Sequence, residues 1–170
     1  GTVKNADFLR CVNNGTVTTD GDYVSGFAAK SETTTYTSCV NNGAITGRTK
    51  IGGFGGAVKS TKTVDSYNTG TIGLAAYNGG NQGIGGLFGE MGYGSTLTRC
   101  YNTGAVTGDC YVGGLVGSVG SGSDAANGPS YIVDSYNSGS ITGHSDKNYC
   151  GIGGLVGKLD ASSSRTYEQS

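Results

Sequence analysis

Tryptophan is absent from this 170-residue chain, and proline, histidine and methionine occur once each. With one proline and no glycine at every third position, a collagen-like triple helix is excluded. Only 14% of residues are charged, and 11 basic against 12 acidic side chains leave a net charge of −1. No basic patch stands out beyond Arg48 and Lys50, so a nucleic-acid partner is not expected. No run of about 18 apolar residues occurs, so the chain is not expected to span a membrane. The first residues lack a charged stretch followed by an apolar core, which reads as a mature product or a piece of a longer surface protein. A lone histidine, His144, leaves no H-E-x-x-H motif.

What is abundant points one way. Glycine supplies 34 residues, and with serine, threonine and asparagine it makes up about half of the chain. These are poor helix formers, so a bundle or coiled coil is excluded. Eleven tyrosines and regularly placed Val, Ile and Leu also exclude a flexible linker. An all-β fold with many turns remains.

Self-similarity organises the chain. The segment CVNNGTVT from Cys11 recurs as CVNNGAIT from Cys39, SYNTGTIG from Ser66, CYNTGAVT from Cys100 and SYNSGSIT from Ser135. Each is followed by a second segment: VSGFAA from Val24, IGGFGG from Ile51, IGGLFG from Ile84, VGGLVG from Val112 and IGGLVG from Ile152. The first segments lie 28, 27, 34 and 35 residues apart. Propeller blades need about 40 to 50 residues per unit, so stacked coils are the better reading. We expect a parallel β-solenoid, a right-handed β-helix of about five coils, with three short strands per coil, spanning 1–170 as one domain.

Alternation predicts Leu9, Thr37, Val64, Thr98 and Val133 on the same inward side as Cys11, Cys39, Ser66, Cys100 and Ser135. Val17, Ile45, Ile72, Val106 and Ile141 follow on that side. Val112 and Leu115 have opposite parity, so the Gly-Gly between them must bend the strand if both face the core. Asn13, Asn41, Asn68, Asn102 and Asn137 open the N-x-G turns and are expected to form a hydrogen-bonded ladder.

Gly86-Leu87-Phe88-Gly89, Gly114-Leu115-Val116-Gly117 and Gly154-Leu155-Val156-Gly157 resemble the GLUG motif. That motif occurs in tandem in bacterial surface proteins, including adhesin-like proteins and the non-catalytic region of immunoglobulin A-specific metallopeptidases. Cys100 to Gly108 resembles the linked signature, and in the first two units Phe27 and Phe54 stand where the motif has leucine. The resemblance implies a secreted or cell-surface location and no catalysis by the repeats themselves.

Candidate chemistry is sparse. Cysteine alternates with serine at one inward position, as a small filler does, although Cys11–Cys39 and Cys110–Cys150 each stack on neighbouring rungs within reach of a bridge. Mostly reduced thiols and at least one disulfide both remain open. No C-x2-C spacing occurs, and no metal or cofactor is expected. Asp65 and Asp134 share a position with Arg99 between them, which does not make an acid pair. The alternative class, a polysaccharide-active β-helix lyase or hydrolase, would need acids gathered in one groove. A free-standing carbohydrate- or immunoglobulin-binding domain is a third.

Insertions mark one corner twice and the opposite corner once, the latter from Gly120 to Ser130 in unit four. Units three and five are long at the same corner, between Ile72 and Ile84 and between Ile141 and Ile152. This predicts a notch floored by Asp109 and walled by Tyr77, Asn78, Asn81 and Gln82 on one side and His144, Asp146, Lys147, Asn148 and Tyr149 on the other. Amides and rings suit a host glycan or protein ligand. Tyr67, Tyr101 and Tyr136 form an alternative outward row. The ends show no polar cap, so end-to-end association between copies through uncapped coils is also expected.

Overall fold

Five residues at one repeat position (Arg10, Ser38, Asp65, Arg99 and Asp134) adopt left-handed backbone with φ between 48° and 52°. They set the geometry of every coil. The structure is a computed structural model that describes residues 1–76, 83–120, 128–144 and 150–160. All strand pairing among these residues is parallel, in five sheets, one of six strands and four of five. This is the expected parallel β-solenoid, with its coils in the expected register. Among the described residues no helix is long and apolar enough to cross a membrane.

Each coil contributes one strand to each of five faces. Face 1 stacks Asp7–Leu9, Thr35–Thr37, Lys62–Val64, Thr96–Thr98 and Tyr131–Val133. Face 2 stacks Val12–Asn13, Val40–Asn41, Tyr67–Asn68, Tyr101–Asn102 and Tyr136–Asn137. Face 3 runs from Val17–Thr18 through Ile45–Gly47, Ile72–Leu74 and Val106–Gly108 to Ile141–Gly143. Face 4 holds Asp22–Ser25, Thr49–Gly52, Ile84–Gly85, Val112–Gly113 and Ile152–Gly153. Face 5 holds Thr2–Lys4, Ala28–Glu32, Gly55–Lys59, Phe88–Met91, Val116–Val119 and Val156–Leu159. Five short strands per coil thus replace the three expected. The left-handed residue cuts the first expected strand from the two-residue face 2, and the Gly-Gly pair cuts the third into faces 4 and 5.

The same left-handed residue overturns one expected facing. It breaks the alternation, so the middle residue of each face 1 strand points inward with the Cys/Ser position three residues on. Tyr36, Thr63 and Leu97 are fully buried, whereas Leu9 is 55% exposed. The inward assignment of Leu9, Thr37, Val64, Thr98 and Val133 therefore fails. Ile45, Ile72 and Val106 on face 3 are buried as expected.

The interior divides into two apolar columns. One lies between faces 1, 2 and 5 and includes Tyr36, Cys39, Phe54, Leu87, Phe88, Leu97, Cys100 and Leu115. Within it Phe8 stacks on Tyr36 at 4.9 Å, and Phe27 on Phe54 at 4.9 Å. The other lies between faces 3 and 4 and is built of Val24, Ile45, Ile51, Ile72, Ile84, Val106 and Val112. Val112, Leu115 and Val119 are all buried, as the bend at Gly-Gly requires. Faces 4 and 5 then pack backbone to backbone: a Cβ on Gly85 would lie 2.6 Å from the Gly117 nitrogen. Only glycine permits that approach.

The asparagines run between the columns. Asn13 donates to Asn41 at 2.7 Å, Asn41 to Asn68 at 2.6 Å, Asn68 to Asn102 at 2.7 Å and Asn102 to Asn137 at 2.8 Å. The second amide hydrogen of each goes to the carbonyl of the glycine two residues on, as from Asn68 to Gly70 at 2.7 Å. Two predictions follow from this packing. Asn68→Leu strands the Asn41 donor and the Gly70 carbonyl and leaves the Asn102 oxygen only the Gly104 amide, and should cost about 3 kcal/mol or more in urea unfolding, whereas Asn13→Ala should cost about 1 kcal/mol. The fully buried Thr63 hydroxyl has no hydrogen-bond partner. Thr63→Val should therefore stabilise the fold by about 1 kcal/mol, and an unchanged or lower urea midpoint would argue against it.

Candidate functional site

At the corner after face 3, the in-register pairing of Gly108 with Gly143 continues into the next residues. The His144 amide donates to the Gly108 carbonyl at 3.1 Å, which sets His144 on the rung beside Asp109. Asp109 is 3% exposed, and His144 is exposed. A disulfide joins Cys110 to Cys150 across the same two rungs, with 4.8 Å between their Cα atoms. It pins the returning end of the unit-five insertion to coil four. The sequence left this pairing open among alternatives, and the structure bonds Cys110 to Cys150. Tyr77, Asn78, Asn81 and Gln82, and Asp146, Lys147, Asn148 and Tyr149, lie outside the described residues. Of the residues expected to line the notch, Asp109 and His144 fall within the described residues, on neighbouring rungs.

The tyrosine row is built as a stack. Tyr67, Tyr101 and Tyr136 are register partners on face 2. Their rings are 4.5 Å and 5.1 Å apart, tilted by only 4° and 8° from parallel. Ring faces are therefore largely turned toward one another, and solvent meets ring edges and a line of phenol oxygens. Burial by its two neighbours raises the Tyr101 phenol above its ordinary value, with the flanking phenols adding to the effect.

Polar columns flank the row. On one side Arg99 grips Asp65 through both guanidinium branches, at 2.6 and 2.9 Å. That grip holds the Asp65 carboxyl below its usual value. On the other side Asn42 donates to Asn14 at 2.8 Å and Thr69 donates to Asn42 at 2.7 Å. This second amide column escaped the sequence reading, although the doubled asparagines at 13–14 and 41–42 carried its signal. A comparable fork joins Arg48 to Asp22, and Thr49 donates to the same carboxylate. Chemically, the outer surface of face 2 offers phenols, carboxamides and already-paired charges, which suits a neutral polar ligand better than a strongly charged one.

Two of the free thiols are shielded. Cys39 and Cys100 are fully buried, and Cys11 is half-buried. Burial raises the Cys39 thiol and pushes Cys100 up to about 11. Burial also pushes Tyr36, whose hydroxyl lies 2.6 Å from Ser31 Oγ, up to about 12.

No family model matches the chain, and neither curated proteins nor solved structures give a match to it.

The buried groups define a pH window. Cys100 and Tyr36 ionise in the unfolded chain near 9.0 and 10.0, below their folded values of about 11 and about 12. Their contribution is intact below pH 9 and is lost as the pH rises through the folded values. Alkaline unfolding should therefore begin above pH 9, and Cys100→Ser should move its onset upward. In the folded protein at pH 8 a thiol reagent should label Cys11 well before Cys39 or Cys100. Equal labelling of all three without unfolding would contradict this packing.

Proposed function

We propose that the chain is a non-catalytic repeat module of a bacterial secreted or cell-surface protein, of the GLUG-motif kind, that presents corner loops to host or carbohydrate ligands. The observation that carries this reading is that the repeated residues are occupied by the fold. Asparagines form the ladder, motif glycines give close backbone approach, and Leu87 and Leu115 fill the core. What differs from coil to coil is the corner sequence, and in stacked-repeat proteins recognition is placed where the repeats diverge. The Cys110–Cys150 disulfide supports export, because such bonds persist in oxidising compartments. Cross-coil forks that engage Asp22 and Asp65 with arginine support a structural rather than an acid–base role for those carboxylates.

Binding to a glycan array and to a panel of host surface proteins tests the proposal. Binding should be found, and Tyr77→Ala and Tyr149→Ala should each weaken it by about 1 kcal/mol or more. If both leave affinity unchanged while Tyr101→Ala abolishes it, the tyrosine row is the site. Polysaccharide turnover removed by Asp109→Asn would replace the module reading with the enzyme one.

A further inference from the structure

Cys11 and Cys39 occupy one inward column on consecutive rungs. Their successors Val12 and Val40 are register partners, and the Val40 amide donates to the Cys11 carbonyl at 2.9 Å. The Cys39 sulfur lies between the two rungs, 3.3 Å from the Phe8 carbonyl of the rung below and 3.4 Å from the Thr37 carbonyl of its own. Cys110 and Cys150, two residues ahead of the register partners Val112 and Ile152, stand in the same rung-to-rung relation and are bonded. Cys100 differs. The same column holds Ser66 on the rung before it and Ser135 on the rung after, and the Cys100 amide donates to Ser135 Oγ at 3.0 Å. It has no thiol to meet.

We infer that Cys11 and Cys39 form a redox-active dithiol that closes to a second cross-rung disulfide on exposure to a small-molecule disulfide, clamping the first coil to the second. The exchange balances without another reactant. The half-buried Cys11, as thiolate, attacks one sulfur of oxidised glutathione and expels one glutathione thiolate, leaving a mixed disulfide. Cys39 then loses its proton, attacks the Cys11 sulfur and expels the second glutathione thiolate. Two protein thiols are oxidised to one disulfide, and one glutathione disulfide is reduced to two thiols. Rung spacing of about 4.8 Å lies within the Cα range that a disulfide spans, so closure asks for no movement of the coils. This inference stands on the stacking register and does not depend on the proposed ligand or location.

The folded protein, incubated with oxidised glutathione, then alkylated and digested, should yield a peptide pair linked through Cys11 and Cys39. Free thiols should fall from three to one, with Cys100 still alkylated. Exchange of the Val40 amide should slow about tenfold or more on closure. Cys11→Ser should leave Cys39 and Cys100 free after the same treatment, and serine already stands in this column at 66 and 135, so that variant is expected to fold. A Cys11–glutathione adduct that never resolves, or a link from Cys11 to Cys100, would overturn the inference. Closure without slower Val40 exchange would overturn the clamp.

Discussion

The line of carboxamides through the middle of the stack fixes the register of everything else. A buried primary amide has two donors and an acceptor to satisfy, and each inner asparagine meets them with the rung on either side and its own turn. A one-residue slip of any coil would turn that asparagine outward and leave its neighbours unpaired in a dry interior. Glycine is a consequence of the same line. A Cβ on Gly104 would overlap the carbonyl of Gly70 one rung below, and one on Gly86 or Gly114 would run into the Asn102 or Asn137 carboxamide. The N-x-G turn and the Gly-Gly pair, far apart in each unit, are two sides of one packing requirement.

This coupling explains how much of the architecture was legible. Repeats announce themselves when every unit must satisfy the same neighbours, so the coil count, the asparagine ladder and the inward residues of face 3 could be read directly. The error lay in assuming unbroken alternation across Arg10, Ser38, Asp65, Arg99 and Asp134. Left-handed backbone favours glycine, asparagine and aspartate, and here it falls on arginine and serine as well. Only the aspartates at two of the five positions, Asp65 and Asp134, carried a signal of the break. The division into two apolar columns was hidden for a related reason. It comes from glycine meeting glycine between faces 4 and 5, a contact that depends on how the chain returns rather than on local pattern.

The surface was less legible than the interior. Parity placed Tyr67, Tyr101 and Tyr136 outward, but it says nothing about ring planes. In-register rungs let parallel rings stack at 4.5 and 5.1 Å, and that stacking covers both ring faces of Tyr101 and leaves its edge for a ligand. A row of separate aromatic platforms and a stack of rings have the same sequence signature and different chemistry. Likewise, rung spacing made two cysteine pairings equally reachable, and the described corner bonds Cys110 to Cys150 while Cys11 and Cys39 stay free.

Stacked repeats hold together by nearest-neighbour contacts, so each described coil is buried by the coils beside it. Coils two to four are covered on both sides: Tyr36, Ile72, Leu87, Leu97 and Leu115 are fully buried or nearly so. In coil five the equivalent positions open, with Ile152 at 50% and Leu155 at 37% exposure, and in coil one Phe8 and Val17 are only half-buried. Those are also the coils whose cysteines face a cysteine on the adjoining rung, while Cys100 in the well-covered middle faces only serine. The placement of thiols along this stack thus follows the gradient of burial, with the bonded pair joining coils four and five and the free pair lying between coils one and two.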